Sequence, residues 1–131
     1  MSVLAHLTAG RALAEALMLD TCTAVRRGSA STNSTTGAVT VSSTTLYSGK
    51  CRVQNAGLAA QTVEAAGRTA TVERPTIHVP VGAFAARPGD VITITASETD
   101  ATLVGRVYRV VGAQVKSLAT AYRLPVEEVT A

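Results

Sequence analysis

Aromatic residues are nearly missing from this chain: Tyr47, Phe84, Tyr108 and Tyr122 make up 3% of it, and there is no tryptophan. A base-stacking platform for single-stranded nucleic acid needs several exposed rings, so this composition argues against one. Charge is scarce too, at 16%, with twelve basic and nine acidic side chains and a net charge of +3. That balance permits contact with DNA or an acidic partner and demands neither. No apolar run approaches the roughly 18 residues of a membrane span. The first residues lack a basic leader, and His6, Arg11 and Glu15 interrupt their apolar stretch, which is not the pattern of a secretory signal. Two cysteines, Cys22 and Cys51, are too few for a disulfide scaffold or a tetrahedral metal site. The expectation is a soluble protein made in a reducing cytoplasm, with no membrane partner.

What is present is a chain of 131 residues, 47% of them hydrophobic. That length suits one domain, able to bury about two thirds of its unfolded surface. The low charge and high apolar content argue against disorder.

Residues 2 to 18 read as a helix. Val3, Leu4, Leu7, Ala14, Leu17 and Met18 fall on one helical face, Ser2 is a capping residue, and Arg11 and Glu15 stand four apart for pairing. Its apolar face has two candidate partners, the protein's own barrel and a neighbouring subunit. Residues 1–19 are thus assigned to the helix and 20–131 to a β domain. After Asp20 the texture changes to Thr, Val and short alternations. Strands are expected at 21–27, from Val39, at 46–53, 69–73, 76–81, 91–96, 103–111 and 119–124, with Pro125 bending the last before 126–129. Loops are expected at 28–37 (GSASTNSTTG), 54–68 and 82–88. Many short strands separated by Gly, Pro, Asn and Asp indicate a mainly β fold, a small barrel or sandwich carrying an N-terminal α-helix and long loops.

Reactive constellations are sparse. His6 and His78 have no Cys or carboxylate at ligand spacing, and there is no phosphate loop, nucleophile elbow or paired-histidine motif. Asp90 follows Pro88-Gly89 and reads as a turn stabiliser; Glu98 and Asp100 read as a solvated turn. Cys22 and Cys51 could face each other on neighbouring strands as buried thiols. The expectation is no catalytic residue, no metal and no cofactor. The basic residues are dispersed. Arg26, Arg27, Lys50 and Arg52 flank the Ser/Thr loop and its following hairpin; they read as a solvated surface or, in a ring assembly, as a weak patch repeated around a channel.

The order of these elements carries a resemblance. RALAEALMLDTCTAVRR, the hairpin LYSGKCRVQ, HVPVGAFAARPGDVITIT and LVGRVYRVVGAQVKSLATAYRLPVEEV together resemble a family of small head-to-tail connector proteins of tailed bacteriophages with actinobacterial hosts. The resemblance implies a non-enzymatic virion protein at the head–tail junction, assembled in the bacterial cytoplasm. It implies a homo-oligomeric ring of six or twelve subunits between a portal or adaptor protein and the tail terminator or tail tube. That ring closes the filled head, helps retain packaged double-stranded DNA without reading its sequence, and docks the tail. Under this reading Leu4, Leu7, Arg11 and Leu17 of the helix, and Ser29, Thr32, Asn33 and Thr36 of the loop, are candidate subunit or partner contacts, and Arg26, Arg27, Lys50 and Arg52 are candidates for weak contact with the DNA in the channel. Two other readings stand beside it: a tail terminator or tail-joining protein, and a small barrel that binds nucleic acid.

Overall fold

The computed structural model describes residues 2–55, 61–65, 68–72, 75–112 and 116–129. Helix α1 (Val3–Ala16) starts where the Ser2 hydroxyl accepts a hydrogen bond from the Ala5 amide. The strands that follow are β1 (Asp20–Thr32), β2 (Val39–Asn55), β3 (Gln61–Ala65), β4 (Arg68–Val72), β5 (Pro75–Val79), β6 (Val91–Ser97), β7 (Val107–Val110) and β8 (Tyr122–Val129). Six of them close into an antiparallel barrel in the order β1-β2-β5-β8-β7-β6, with β6 returning to β1. β3 and β4 pair with each other as a separate two-stranded sheet. The protein is therefore mainly β, a small barrel with one N-terminal helix.

Alternation decides the core. Cys22 and Ala24 of β1, Cys51 of β2, Ile77 and Val79 of β5, Ile92 and Ile94 of β6, Tyr108 and Val110 of β7, and Leu124 and Val126 of β8 all point inward and are buried. Barrels of about eight strands already have an interior that side chains fill, so a six-stranded one has less room. The small Cys and Ala residues on β1 and β2 fit that constraint.

Several expectations are corrected. Residues 28–32 are not loop: β1 continues to Thr32, and β2 runs unbroken from Val39 to Asn55, so LYSGKCRVQ is not a hairpin turning at Ser48-Gly49; those two residues pair with Thr23 and Cys22 of β1. Ser and Thr run easily in extended backbone, and the two strands satisfy each other's amides as far as Thr32↔Val39. Within 54–68, which was expected as one loop, residues 61–65 form β3; residues 56–60 and 66–67 of that stretch lie outside the described residues, as do 73–74 and 113–115. The strand expected over 103–111 is shortened to Val107–Val110. Ala101–Leu103 form a single 3-10 turn capped by Asp100, and Gly105 takes a positive φ of 87° that reverses the chain. The strand expected from Ala119 starts at Tyr122 and continues through Pro125 to Val129. The Pro125 carbonyl accepts from the Val111 amide, one residue past the end of β7, so the missing proline N–H falls where that ladder has stopped.

Candidate functional site

The reactive side chains are tied into structure. Cys22 and Cys51 are fully buried free thiols, diagonal neighbours across β1 and β2. Their mutual hydrogen bond and then burial push the Cys51 thiol far above its ordinary range, so it stays protonated. Asp90 is 2% exposed and receives both forks of Arg26, Nε to Oδ1 and Nη2 to Oδ2 at 2.9 Å, and the Arg87 amide at 2.8 Å. Burial pushes its carboxyl up, but these donors outweigh burial and hold it below the usual value of 3.8. Asp90 thus does more than close the 87–90 turn: it fastens that turn to β1. Asp100 accepts from the Thr102 amide and hydroxyl and caps the 3-10 turn. Among the described residues, no group of three or more His, Cys, Asp and Glu side chains could hold a metal ion, and no helix is long and apolar enough to cross a membrane.

The features that stand out are surfaces. β1 and β2 pair well beyond the point where their other neighbours stop. β6 accompanies β1 only from Asp20 to Val25, and β5 accompanies β2 only from Arg52 to Asn55. From Arg27 to Ser43 the two strands and their turn form a two-stranded arm, every residue of which is exposed. Two register shifts set the arm off from the barrel: an extra residue in β2 beside Ala24/Val25, then an extra residue in β1 between Arg27 and Ala30. Bulges bend and twist a ribbon. At the second bulge a Cβ on Gly28 would stand 2.5 Å from the Ser42 hydroxyl and 3.3 Å from the Ser42 carbonyl, so a larger residue there makes Ser42 shift.

Opposed residues share a face, so Ala30, Val41, Thr32 and Val39 form one side of the arm. Val39 is 65% exposed. The turn is built by Asn33, whose side-chain oxygen accepts from the Thr35 and Thr36 amides, and by Gly37 at φ +72°. Of the loop contacts expected from sequence, Ser29, Thr32 and Thr36 are exposed on this arm, whereas the Asn33 side chain is occupied in holding the turn.

The helix face is the second surface. Leu4 is 70% and Leu17 50% exposed, and Leu7 is partly covered. The apolar stripe is therefore shared: Met18 is buried and Leu7 and Ala14 are partly covered by the protein itself, while Val3, Leu4 and Leu17 are left to solvent. α1 touches the barrel at Gly10, where a Cβ would stand 3.1 Å from the Thr120 methyl. Arg11 does not pair with Glu15. Its Nε donates to the Ala119 carbonyl at 3.0 Å, and Glu15 pairs with Lys50 at 3.1 Å. Arg11 is a tether to the barrel rather than a free partner contact.

The proposed DNA contacts do not come together. Arg26 is locked to Asp90 at the barrel rim and also donates to the Ala85 carbonyl, Lys50 pairs with Glu15, and Arg27 is exposed at the root of the arm. Arg26 leaves the DNA-contact group, because its charge is spent on a buried carboxylate. Arg52 instead stands opposite His78, which stands opposite Arg123. Sequence reasoning missed that row, since its only sequence signal is outward strand position and the register that aligns it is tertiary.

The sequence matches, over residues 10–127, a family of unknown function, DUF6093, and the chain belongs to that family. No curated protein and no solved structure matches it.

Proposed function

We propose that this DUF6093 member is a non-enzymatic virion protein, a head-to-tail connector that forms a ring between the portal or adaptor and the tail of a bacteriophage. The observation that carries the reading is the exposed β1–β2 arm. A two-stranded ribbon is at best marginally stable alone in water, and its open edges are templates for pairing with another chain. An arm of this length on a closed barrel makes sense when a neighbouring subunit completes it. Heterologous contacts of this kind close into rings when their rotation closes. The uncovered part of the α1 stripe supplies a second contact face, directed at an adjacent subunit or at the adaptor. The resemblance in element order names the assembly: a stopper that narrows the channel and docks the tail, contacting packaged DNA through phosphates and not through bases.

Purified protein mixed with its adaptor is expected to form rings in negative-stain images, and the protein is expected at the head–tail junction of the particle in a fixed copy number. A virus lacking it should give full or leaking heads beside finished tails. Overlong tails on intact heads would move the protein to the tail-terminator layer. Monomers under all conditions, together with absence from virions, would refute the reading.

A further inference from the structure

The register of the barrel builds a row of basic side chains. Arg52 on β2 lies opposite His78 on β5, and His78 lies opposite Arg123 on β8. Since Ile77 and Val79 point into the core, the row points out, toward α1. Arg52 and Arg123 thus flank His78 two strands apart, two outward cations whose combined field disfavours a third positive charge between them. Among the described residues no carboxylate pairs with any of the three, and the closest polar contact of His78 is the Thr76 hydroxyl at 3.5 Å. The facing wall is apolar: Leu13, Ala14 and Leu17 of α1, with Leu13 66% exposed. The helix is held to the barrel at Gly10, at Arg11 and through Glu15–Lys50, and between helix and barrel a groove of about 450 Å³ stays open. That volume lies in the range of roughly 300 to 1,000 Å³ typical of binding sites, room for a few side chains rather than a whole element.

We propose that this groove docks a segment of a partner polypeptide in which carboxylates are flanked by aliphatic side chains. The two walls call for both chemistries at once. Guanidinium groups match carboxylates in bidentate geometry, and an acidic group set in the row relieves the repulsion among its members. Aliphatic side chains beside it cover Leu13 and Leu17. Inorganic phosphate meets the first need and leaves the leucines wet. A DNA duplex offers phosphates but no aliphatic surface to lay on them. Burial, then Arg123 and Arg52, lower the proton affinity of His78; no charged residue of α1 lines the groove, and Glu15 is turned to Lys50. A bound carboxylate reverses that balance and raises it. The proposal holds whichever larger assembly the protein joins.

The test uses the full chain and the peptide Gly-Leu-Glu-Asp-Leu-Gly-amide carrying fluorescein on its N-terminal amine, followed by anisotropy at low ionic strength. Saturable binding is expected, weakened about tenfold or more by the Gln/Asn counterpart of the peptide, by its Leu-to-Ser counterpart, and by the Arg52→Gln/Arg123→Gln variant. Both arginines project outward, so circular dichroism of the variant should match the parent. The His78 ring, titrated by NMR, should show its midpoint move upward when peptide is added. No binding at about 1 mM peptide overturns the proposal, as does equal binding of the neutral peptide or of the arginine variant. Equal binding of the Leu-to-Ser peptide, with displacement by phosphate or duplex DNA, reduces the groove to a general anion site and also overturns it. Self-association that the arginine variant abolishes without peptide would make the occupant a second copy of this chain and overturn the assignment to a separate partner.

Discussion

The 82–89 loop and the β1–β2 arm leave the same barrel, yet one is fastened down and the other is not. The loop carries Phe84, which stacks on Tyr47 of β2 with ring centroids 5.9 Å apart and planes at 17°. The Ala85 carbonyl accepts from Arg26, and the Arg87 amide donates to Asp90. Even the space for this stack is prepared: a Cβ on Gly49 would come to 2.8 Å from the Tyr47 hydroxyl. Among the described residues the arm has no such fastening: its strands pair there only with each other, and its valines are exposed. Irregular backbone gained side-chain anchors, while regular backbone was left without a core. Regular hydrogen bonding is therefore a poor guide to which part of this protein is finished by its own chain.

The contrast is open to measurement. Ile92→Ala, inside the barrel, should lower stability by about 3 to 4 kcal/mol in urea unfolding, because the narrow interior cannot collapse around the cavity. A loss under about 1 kcal/mol would mean the barrel is loosely packed.

Asp90→Ala should cost about 1.5 to 3 kcal/mol, since it removes the charge-assisted hydrogen bonds that a nearly fully buried carboxylate makes to Arg26 and to the Arg87 amide, and with them the loop's anchor. The acid dependence separates this ion pair from simple packing. The carboxyl is held below its ordinary value, so the folded state binds fewer protons than the unfolded state just under pH 3.8. Its contribution is whole above that pH and fades as pH falls through the lower, folded value. Asp90→Asn should flatten that part of the stability–pH curve; an unchanged slope would assign the acid sensitivity to other groups.

His78 gives a smaller, opposite-end signal. Its protonated form is disfavoured in the folded state, so its contribution is present above about pH 6.5 and declines as pH falls below it. His78→Gln should remove that decline from thermal melts recorded between about pH 5 and 7.

The smallest effects on stability belong to the unfinished surfaces. Shortening Ser29 to Thr36, or replacing Val39 by Asp, should shift isolated-subunit stability by no more than about 0.5 kcal/mol while abolishing assembly. Leu17→Asp belongs with these. At 50% exposure the site should tolerate an aspartate in the isolated subunit and fail only in the assembled state, where a partner would bury the charge. Circular dichroism with a particle-assembly assay reads both. A shortened arm that still assembles would remove it from the interface.

The strands with strong alternation were legible: Ile77 and Val79, Ile92 and Ile94 all point inward as their spacing requires. The Ser/Thr run was misread because a ribbon with no buried face has no apolar period to detect, and its strand state rests on cross-strand pairing. The 103–111 stretch was misread because Gly105 at φ +87° turns the chain inside a run of apolar residues. Among the candidate site residues, Leu4, Leu17, Ser29, Thr32 and Thr36 are exposed with no side-chain partner that the spacing would reveal. Arg11, Arg26 and Lys50 each have a partner distant in sequence, and Asn33 holds its own turn, so what these four side chains are engaged with was not legible.

Composition and alternation by themselves determined that this chain would be a mainly β domain with one helix in front, since period and residue type are local properties. Which charges are neutralised, which leucines stay uncovered, and that Arg52, His78 and Arg123 stand in one row were decided only by tertiary structure. Strand register, a relation between distant segments, chooses the neighbours, and a charge or an apolar face has no meaning for binding until its neighbours are fixed.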